Sequence, residues 1–325
     1  MLNPKKKRTG CYLAGILAAA AAISLLSGCG GGTPSLEEAL KKTASYEQTS
    51  IPSPASDSLG GEWTVIALAR SGKAAEDGYY EKYRANLEKR VKEQEGVLSE
   101  NRYTEYARAV LACKAIGIDP SDIGGDDLGK PLEAFETVTA QGLNGAVYAL
   151  LALNADRSDV DGELEQKYLT YIVGQEKPSG GFSLDDSSDT ADVDLTAMTL
   201  QCLEPYATEE EISAIIDRGV EFLADSQAED GGYEADGDKS SESVSQVILA
   251  LSTYGIDCNK DERFQKKEKG LYDNLMEYYK KDGSFSHLLD GDSDPMATDQ
   301  AFCAMAAYSR FLNCKTSFYD MSDTN

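Results

Sequence analysis

The segment DVDLTAM, residues 192–198, carries two carboxylates directly before an apolar run. Asp192 and Asp194 precede Thr196-Ala197, and a carboxyl group in such a place could act as an acid if its surroundings raised its pKa. Carboxylates at a helix N-terminus are also stabilised by capping and by the helix dipole, without any chemistry. The segment therefore predicts either a catalytic acid, with Asp194 as the candidate and Asp192 beside it, or the start of a helix.

The other reactive side chains form weaker patterns. His287 is the single histidine, and because the chain has no Cys-x-x-Cys pair to accompany it we expect neither a zinc site nor a cofactor. The acidic loops at 236–238 and 290–295 leave calcium binding open, although the second lacks the Gly and Glu that an EF-hand requires. Cys258 and Cys314 follow consecutive apolar runs, so a disulfide between them also stays open.

The first 28 residues are expected to be a signal peptide rather than part of the fold. MLNPKKKR is a basic start, CYLAGILAAAAAISLL is a short apolar run, and LSGC at 26–29 resembles the lipobox of bacterial lipoproteins. This predicts cleavage before Cys29 and lipidation of its thiol, which would anchor the protein to the extracytoplasmic face of the cell membrane. Residues 29–58, rich in Gly, Ser, Thr and Pro, are predicted to be a flexible tether, with a short helix at 35–46 left open.

The charge of the chain limits its partners. The formal net charge is -25, which disfavours nucleic acid and direct contact with anionic lipid headgroups. Plausible ligands are cationic or polyhydroxylated small molecules, or another surface protein, and the negative charge favours a cationic one.

Residues 59–325 contain six apolar runs that repeat. They align on Leu68, Leu111, Leu150, Leu200, Leu249 and Met305. More polar, amphipathic stretches lie between them, most clearly at 79–94, 163–175, 209–227 and 264–280. Strand patterns are almost absent. Alternating apolar and amphipathic helices predict an all-α domain, an α/α toroid of about six inner and six outer helices.

One of these stretches resembles a known repeat. RGVEFLADSQAEDGGY, residues 218–233, is similar to the QW-type repeat of triterpene cyclases, with Tyr233 where that repeat usually has Trp. The whole domain resembles the prenyltransferase/squalene-cyclase repeat domains of bacterial surface lipoproteins, in the terpenoid cyclase and protein prenyltransferase superfamily. In cyclases that start by protonation, the middle aspartate of Asp-x-Asp-Asp-Thr-Ala donates the proton. The resemblance gives that role to Asp194, while Leu195 replaces the third carboxylate.

A polar residue stands six positions before each alignment residue. These residues are Glu62, Glu105, Asn144, Asp194, Ser243 and Asp299. Because the inner helices run parallel, we expect their N-termini to meet at one acidic mouth of the toroid. The predicted binding residues are Glu62, Trp63, Glu105, Arg108, Gln141, Asn144, Asp194, Glu242, Gln246, Asp299 and Gln300.

The sequence therefore favours a lipid-anchored toroid domain that binds a small molecule or a surface partner at its acidic mouth without catalysis. One alternative is a terpenoid-cyclase-like or prenyltransferase-like enzyme that uses Asp194 as acid. The other is a structural or protein-interaction module of the cell surface.

Overall fold

The computed structural model describes residues 33–157, 162–184, 188–235 and 237–324. The predicted signal peptide and Cys29 lie outside the described residues. Within these ranges no helix combines the length and the hydropathy that crossing a bilayer requires.

Helices dominate the described chain. The α-helices are α1 (Leu36–Ser50), α2 (Glu62–Ser71), α3 (Tyr79–Glu93), α4 (Thr104–Ala115), α5 (Phe135–Thr139), α6 (Leu143–Asn154), α7 (Gly162–Val173), α8 (Val193–Cys202), α9 (Glu210–Asp225), α10 (Ser241–Thr253), α11 (Leu271–Leu275) and α12 (Pro295–Leu312). Short 3-10 helices span Pro120–Asp122, Lys130–Glu133, Glu204–Tyr206 and Glu262–Phe264. The strands described are β1 (Glu234–Ala235) and β2 (Asp238–Lys239), which pair antiparallel as one small hairpin.

The six apolar runs form a closed inner ring. Each of α2, α4, α6, α8 and α10 packs against the next even-numbered helix, and α12 packs back against α2. The six alignment residues Leu68, Leu111, Leu150, Leu200, Leu249 and Met305 are at most 1% exposed. Their burial places all six in the core, and the closed ring confirms the predicted α/α toroid.

The odd-numbered helices form the outer layer. α3, α7 and α9 coincide with the predicted amphipathic stretches, whereas the stretch at 264–280 contains only the five-residue helix α11. In α9 the buried residues Ile212, Ile215, Ile216 and Gly219 follow a spacing of three and four, which places one apolar face against the ring. With α1 included, six outer helices alternate with six inner ones in the part of the chain that the structure describes.

α1 lies inside the segment that was predicted to be a tether. It begins with a capping box between Ser35 and Glu38, buries Ala39 and Leu40, and packs against both α12 and α2. The short helix that the sequence left open at 35–46 is therefore present, and it extends to Ser50 and packs against the ring.

A repeated glycine-aromatic loop follows three of the outer elements. The aromatic residues Phe182, Tyr233 and Phe285 are all fully buried. In the third loop Gly283 has a φ of 104°, and a Cβ there would lie 2.7 Å from the backbone of Lys42. Thr43 donates a hydrogen bond to the carbonyl of Gly283 at 2.7 Å. Glycine thus allows this loop to contact α1 directly.

The C-terminal segment, residues 315–324, covers the C-terminal ends of the inner helices. Arg70 of α2 donates from Nε to the carbonyl of Phe318 at 2.9 Å and from Nη1 to Asp323 at 2.7 Å. Arg310 of α12 donates to the other oxygen of Asp323 at 2.6 Å. Partial burial raises the pKa of Asp323, but the hydrogen bonds from both guanidinium groups lower it to about 2. These contacts close one mouth of the ring.

Four cysteines of the described chain are buried free thiols: Cys113, Cys202, Cys258 and Cys303. The disulfide that the sequence left open between Cys258 and Cys314 is therefore not formed.

Removal of α1 is expected to destabilise the ring. A chain that begins at residue 59 should unfold at a lower temperature than one that begins at residue 33, because the apolar seam between α12 and α2 loses its cover. Leu40→Ala in the longer chain should cost about 2–5 kcal/mol, whereas exposed Lys41→Ala should cost little. Thermal and denaturant unfolding measure both effects, and equal midpoints for the two chain lengths would contradict the role of α1.

Candidate functional site

An axial cavity of about 340 Å³ lies at the N-terminal mouth of the ring. Every inner helix contributes to its wall, through Trp63, Arg108, Tyr148, Met198, Gln246 and Gln300, and Tyr319 of the C-terminal segment adds to it from the opposite end. Thr104, Asn144 and Met296 of the first helical turns also line it. A volume of this size is in the range of small-molecule sites, about 300–1,000 Å³.

The wall of the cavity is amphipathic. The rings of Trp63 and Tyr148 lie 5.9 Å apart and supply apolar faces. On the other side, Gln201 donates to Gln246 at 3.1 Å, and Gln246 donates to Gln300 at 3.1 Å. This chain of amides links α8, α10 and α12 and presents polar groups to the cavity.

Arg108 is the charged group among the described lining residues. Its Nε donates to Glu62 at 3.2 Å, and Glu62, only 1% exposed, also accepts a hydrogen bond from Tyr83 at 2.9 Å. Burial raises the pKa of Glu62 to about 7, although Arg108 opposes that rise. Glu62 thus orients the guanidinium from behind and leaves the positive charge beside the cavity.

The predicted ring of four carboxylates around the mouth does not form. Glu62 contacts Tyr83 of the outer helix α3. Glu105 pairs with Arg90 at 2.9 Å and with Arg102 at 2.5 Å, away from the cavity. Because successive helix positions rotate by about 100°, the position six before the alignment residue faces the neighbouring elements at most repeats, not the axis. Among the described residues the cavity wall therefore carries no carboxylate, and its one charged group is the Arg108 cation.

Asp192, not Asp194, caps helix α8. Asp192 Oδ1 accepts from the backbone N–H of Leu195 at 2.7 Å, as an N-cap side chain does. Oδ1 of Asp194 is buried without a hydrogen-bond partner. Burial raises the pKa of Asp194 to about 6; the charges of Asp192 and Glu242 add to the rise, and the nearby Ser243 hydroxyl opposes it.

Asp194 and Glu242 do not line the cavity themselves, but each lies on the same helix face as a residue that does. Asp194 lies one helical turn before the lining residue Met198, and Glu242 lies one turn before Gln246. Glu242 accepts hydrogen bonds from Ser240 and Ser241, each at 3.1 Å, and both of its oxygens are 2.9 Å from Nδ1 of His287. The hydrogen bond to Glu242 raises the pKa of His287, and burial of the ring opposes this rise.

The structure brings only part of the predicted site together. Trp63, Arg108, Asn144, Gln246 and Gln300 line the cavity. Gln141 instead accepts from the backbone N–H of Tyr103 at 3.0 Å in a loop, and Asp299 is buried against Thr64 at 2.9 Å. No group of three or more His, Cys, Asp or Glu residues in the described chain is arranged to hold a metal ion.

Several lining residues were missed by the sequence reasoning. Tyr148, Met198 and Cys303 each lie four residues after a polar residue that was singled out. Helical spacing could have found these three, since residues four apart share a face. Tyr319 could not be found in this way, because the folding back of the C-terminal segment brings it to the axis.

The fold is similar to that of several solved enzymes, whereas the sequence matches no protein-family model and no curated protein. An unsaturated glucuronyl hydrolase from Bacillus sp. GL1, responsible for glycosaminoglycan degradation, has a TM-score of 0.56 at 12% identity over 87% of this chain and 97% of its own. A polysaccharide lyase has a TM-score of 0.55 at 12% identity, over 86% of this chain and 97% of its own. A type II terpene cyclase from Scytonema has a TM-score of 0.54 at 10% identity, over 85% of this chain and 97% of its own.

These similarities confirm the α/α toroid and correct the functional prediction. At such identities they show the fold alone, and the fold is shared with a hydrolase, a lyase and a cyclase. The prediction of a non-catalytic binding domain, and the preference against an enzyme, are contradicted by these enzyme neighbours.

The two aspartates before α8 are expected to respond differently to substitution. Asp192→Ala should lower the free energy of unfolding by about 0.5–2 kcal/mol because it removes the N-cap. Asp194→Asn should not lower it at pH 7, because the amide avoids burying a charge without a partner. Urea unfolding at pH 7 measures both. A loss in Asp194→Asn as large as that in Asp192→Ala would give Asp194 a structural role instead.

Proposed function

We propose that this chain is an enzyme whose active site is the axial cavity and whose acid is Asp194. The observation that carries this proposal is the environment of Asp194: a buried oxygen without a partner and a pKa raised by burial to about 6. A carboxyl group tuned towards neutral pH is suited to proton transfer. The hydrolase, lyase and cyclase with the same fold support the choice of an enzyme.

The substrate class that fits the cavity best is an acidic saccharide. Trp63 and Tyr148 offer apolar faces against which a sugar ring can pack. The amides of Gln246 and Gln300 match hydroxyl groups, and Arg108 matches a carboxylate. The glucuronyl hydrolase and the polysaccharide lyase among the similar structures support this class.

The proposed reaction is hydrolysis of a glycosidic bond. Asp194 donates its proton to the departing glycosidic oxygen as the bond to the anomeric carbon breaks. A water molecule adds to that carbon, and its proton passes to Glu242, the carboxylate whose charge acts on Asp194. His287, at 2.9 Å from Glu242, fixes the orientation of this second carboxylate.

Terpenoid cyclisation is the second candidate. It is favoured by Asp194 within Asp-x-Asp-x-Thr-Ala and by the similarity to the type II terpene cyclase. Cation chemistry requires an apolar, aromatic wall, however, and the cavity instead contains Arg108 and a chain of amides. The polar wall therefore ranks this reaction below saccharide cleavage.

We also propose that the protein is a lipoprotein on the extracytoplasmic face of the membrane. The basic start, the short apolar run and LSGC before Cys29 support this assignment. The resemblance of 218–233 to the QW-type repeat supports a place near the prenyltransferase-type surface lipoproteins within the toroid superfamily.

Lipidation of Cys29 predicts that Cys29→Ser abolishes the incorporation of labelled fatty acid in a bacterial host. Cys11→Ser is the matched control and should keep the label. Equal labelling of wild type and Cys29→Ser would contradict the anchor.

The enzyme proposal predicts turnover of uronic-acid oligosaccharides by the soluble chain from residue 33. Asp194→Asn should lower kcat by a factor of about 10²–10⁴, which is the usual contribution of a positioned general acid. Because Asp194 must carry a proton to donate it, the activity should fall as the pH rises above about 6. Mass spectrometry of the products across pH 4–9 measures both.

Substrate choice is tested by Arg108→Gln. This variant should raise KM for acidic oligosaccharides without affecting neutral ones, while the exposed Arg102→Gln should change neither. Full activity in Asp194→Asn, or no cleavage of acidic oligosaccharides, would overturn the proposal. Conversion of a polyprenyl substrate to a cyclic product would favour the second candidate.

A further inference from the structure

A pair of buried carboxyl groups lies where α1 covers the contact between α12 and α2. Glu47 of α1 and Asp299 of α12 are each 2% exposed. Oγ1 of Thr64 in α2 is 3.1 Å from Glu47 and 2.9 Å from Asp299. A hydroxyl group has one proton to donate, so only one of the two carboxylates can accept its hydrogen bond at a time.

Within the described ranges no basic group acts on this pair. The titratable groups that face the pair are Tyr79 of α3 and Cys303 of α12. Burial and the charges of Glu47 and Asp299 raise the pKa of both groups. Tyr80 and Glu76 lie further out and also raise the pKa of Tyr79. Oε1 of Glu47 and the hydroxyl of Tyr79 are buried without hydrogen-bond partners. Two ionised carboxylates in such a place would repel each other and lack solvation.

We propose that the docking of α1 depends on a proton held by the Glu47–Asp299 pair, so that loss of this proton releases α1 from the seam between α12 and α2. This inference concerns the outer side of the ring and is independent of the proposed enzymatic activity. Release of α1 uncovers the closing contact of the ring, and Thr64 and Asp299 are sequence neighbours of the cavity residues Trp63 and Gln300.

The direction of the pH dependence follows from burial. Burial and mutual repulsion raise the pKa of Glu47, and burial raises that of Asp299, above the values of free carboxyl groups. The docked state therefore binds protons more tightly than the released state. Its stabilisation is complete below about pH 4, where both states are protonated, and is lost as the pH rises through the raised pKa values.

Trypsin cleavage within α1 of the full chain tests this proposal. Lys41 and Lys42 are exposed in α1, so cleavage there reports local opening when it is slow relative to reclosing. The cleavage rate, divided by that of a short Lys peptide at each pH, should rise about tenfold per pH unit from pH 6.5 to 8 for one proton released on opening. Peptide mass spectrometry distinguishes this site from other cleavage sites.

The Glu47→Gln/Asp299→Asn double variant should show no rise with pH, because neutral amides have no proton to lose. Glu37→Gln, an α1 carboxylate whose side chain is 74% exposed, should keep the tenfold rise. A flat profile in wild type, or an unchanged rise in the double variant, would overturn the proposal. Abolition of the wild-type rise by added calcium would also overturn it, because a metal ion rather than a proton would then hold the pair. If the double variant fails to fold, the wild-type slope decides.

Discussion

The contact between α12 and α2 is the constraint on which the rest of the structure depends. Five neighbouring contacts between inner helices follow the order of the chain, but this one joins its two ends and converts a row of helices into a ring. Each inner helix must bury one side against its neighbours and another against an outer helix, so the closing contact needs a cover of its own. α1 supplies it, which is why a helix near the N-terminus belongs to the same core as the last helix.

Closure also determines where chemistry is possible. Each inner helix satisfies its own backbone hydrogen bonds, so the axis of the ring is lined by side chains alone. Arg70, Arg310 and Asp323 hold the C-terminal segment across one end, and Tyr319 lines the axial cavity from that side. The cavity at the other mouth is thus the concave place where side chains from all six inner helices converge, and Arg108 makes it locally cationic in a chain of net charge -25.

The carboxyl groups of the inner helices and of α1 differ in their partners, and this difference separates structural from chemical roles. Asp192 accepts a backbone hydrogen bond and caps its helix, and Glu105 pairs with two arginines. Asp194 has a buried oxygen without any partner, and Glu47 and Asp299 share one hydroxyl. A carboxylate that is buried without a cation keeps a proton more readily, because the charged form loses its hydration without compensation.

The sequence by itself determined the period of the helices, and with it the alternation of inner and outer layers, because burial on a ring requires the same apolar spacing in every repeat. Trp63 and Gln300, which the sequence singled out, are among the groups that line the axial cavity. Only the tertiary structure decided that α1 covers the closing contact of the ring and that Tyr319 lines the cavity. Both follow from contacts between the ends of the chain, which no local pattern encodes. The rotation of each helix about its own axis was decided in the same way, and it turned Glu62, Glu105 and Asp299 away from the cavity and left Arg108 beside it.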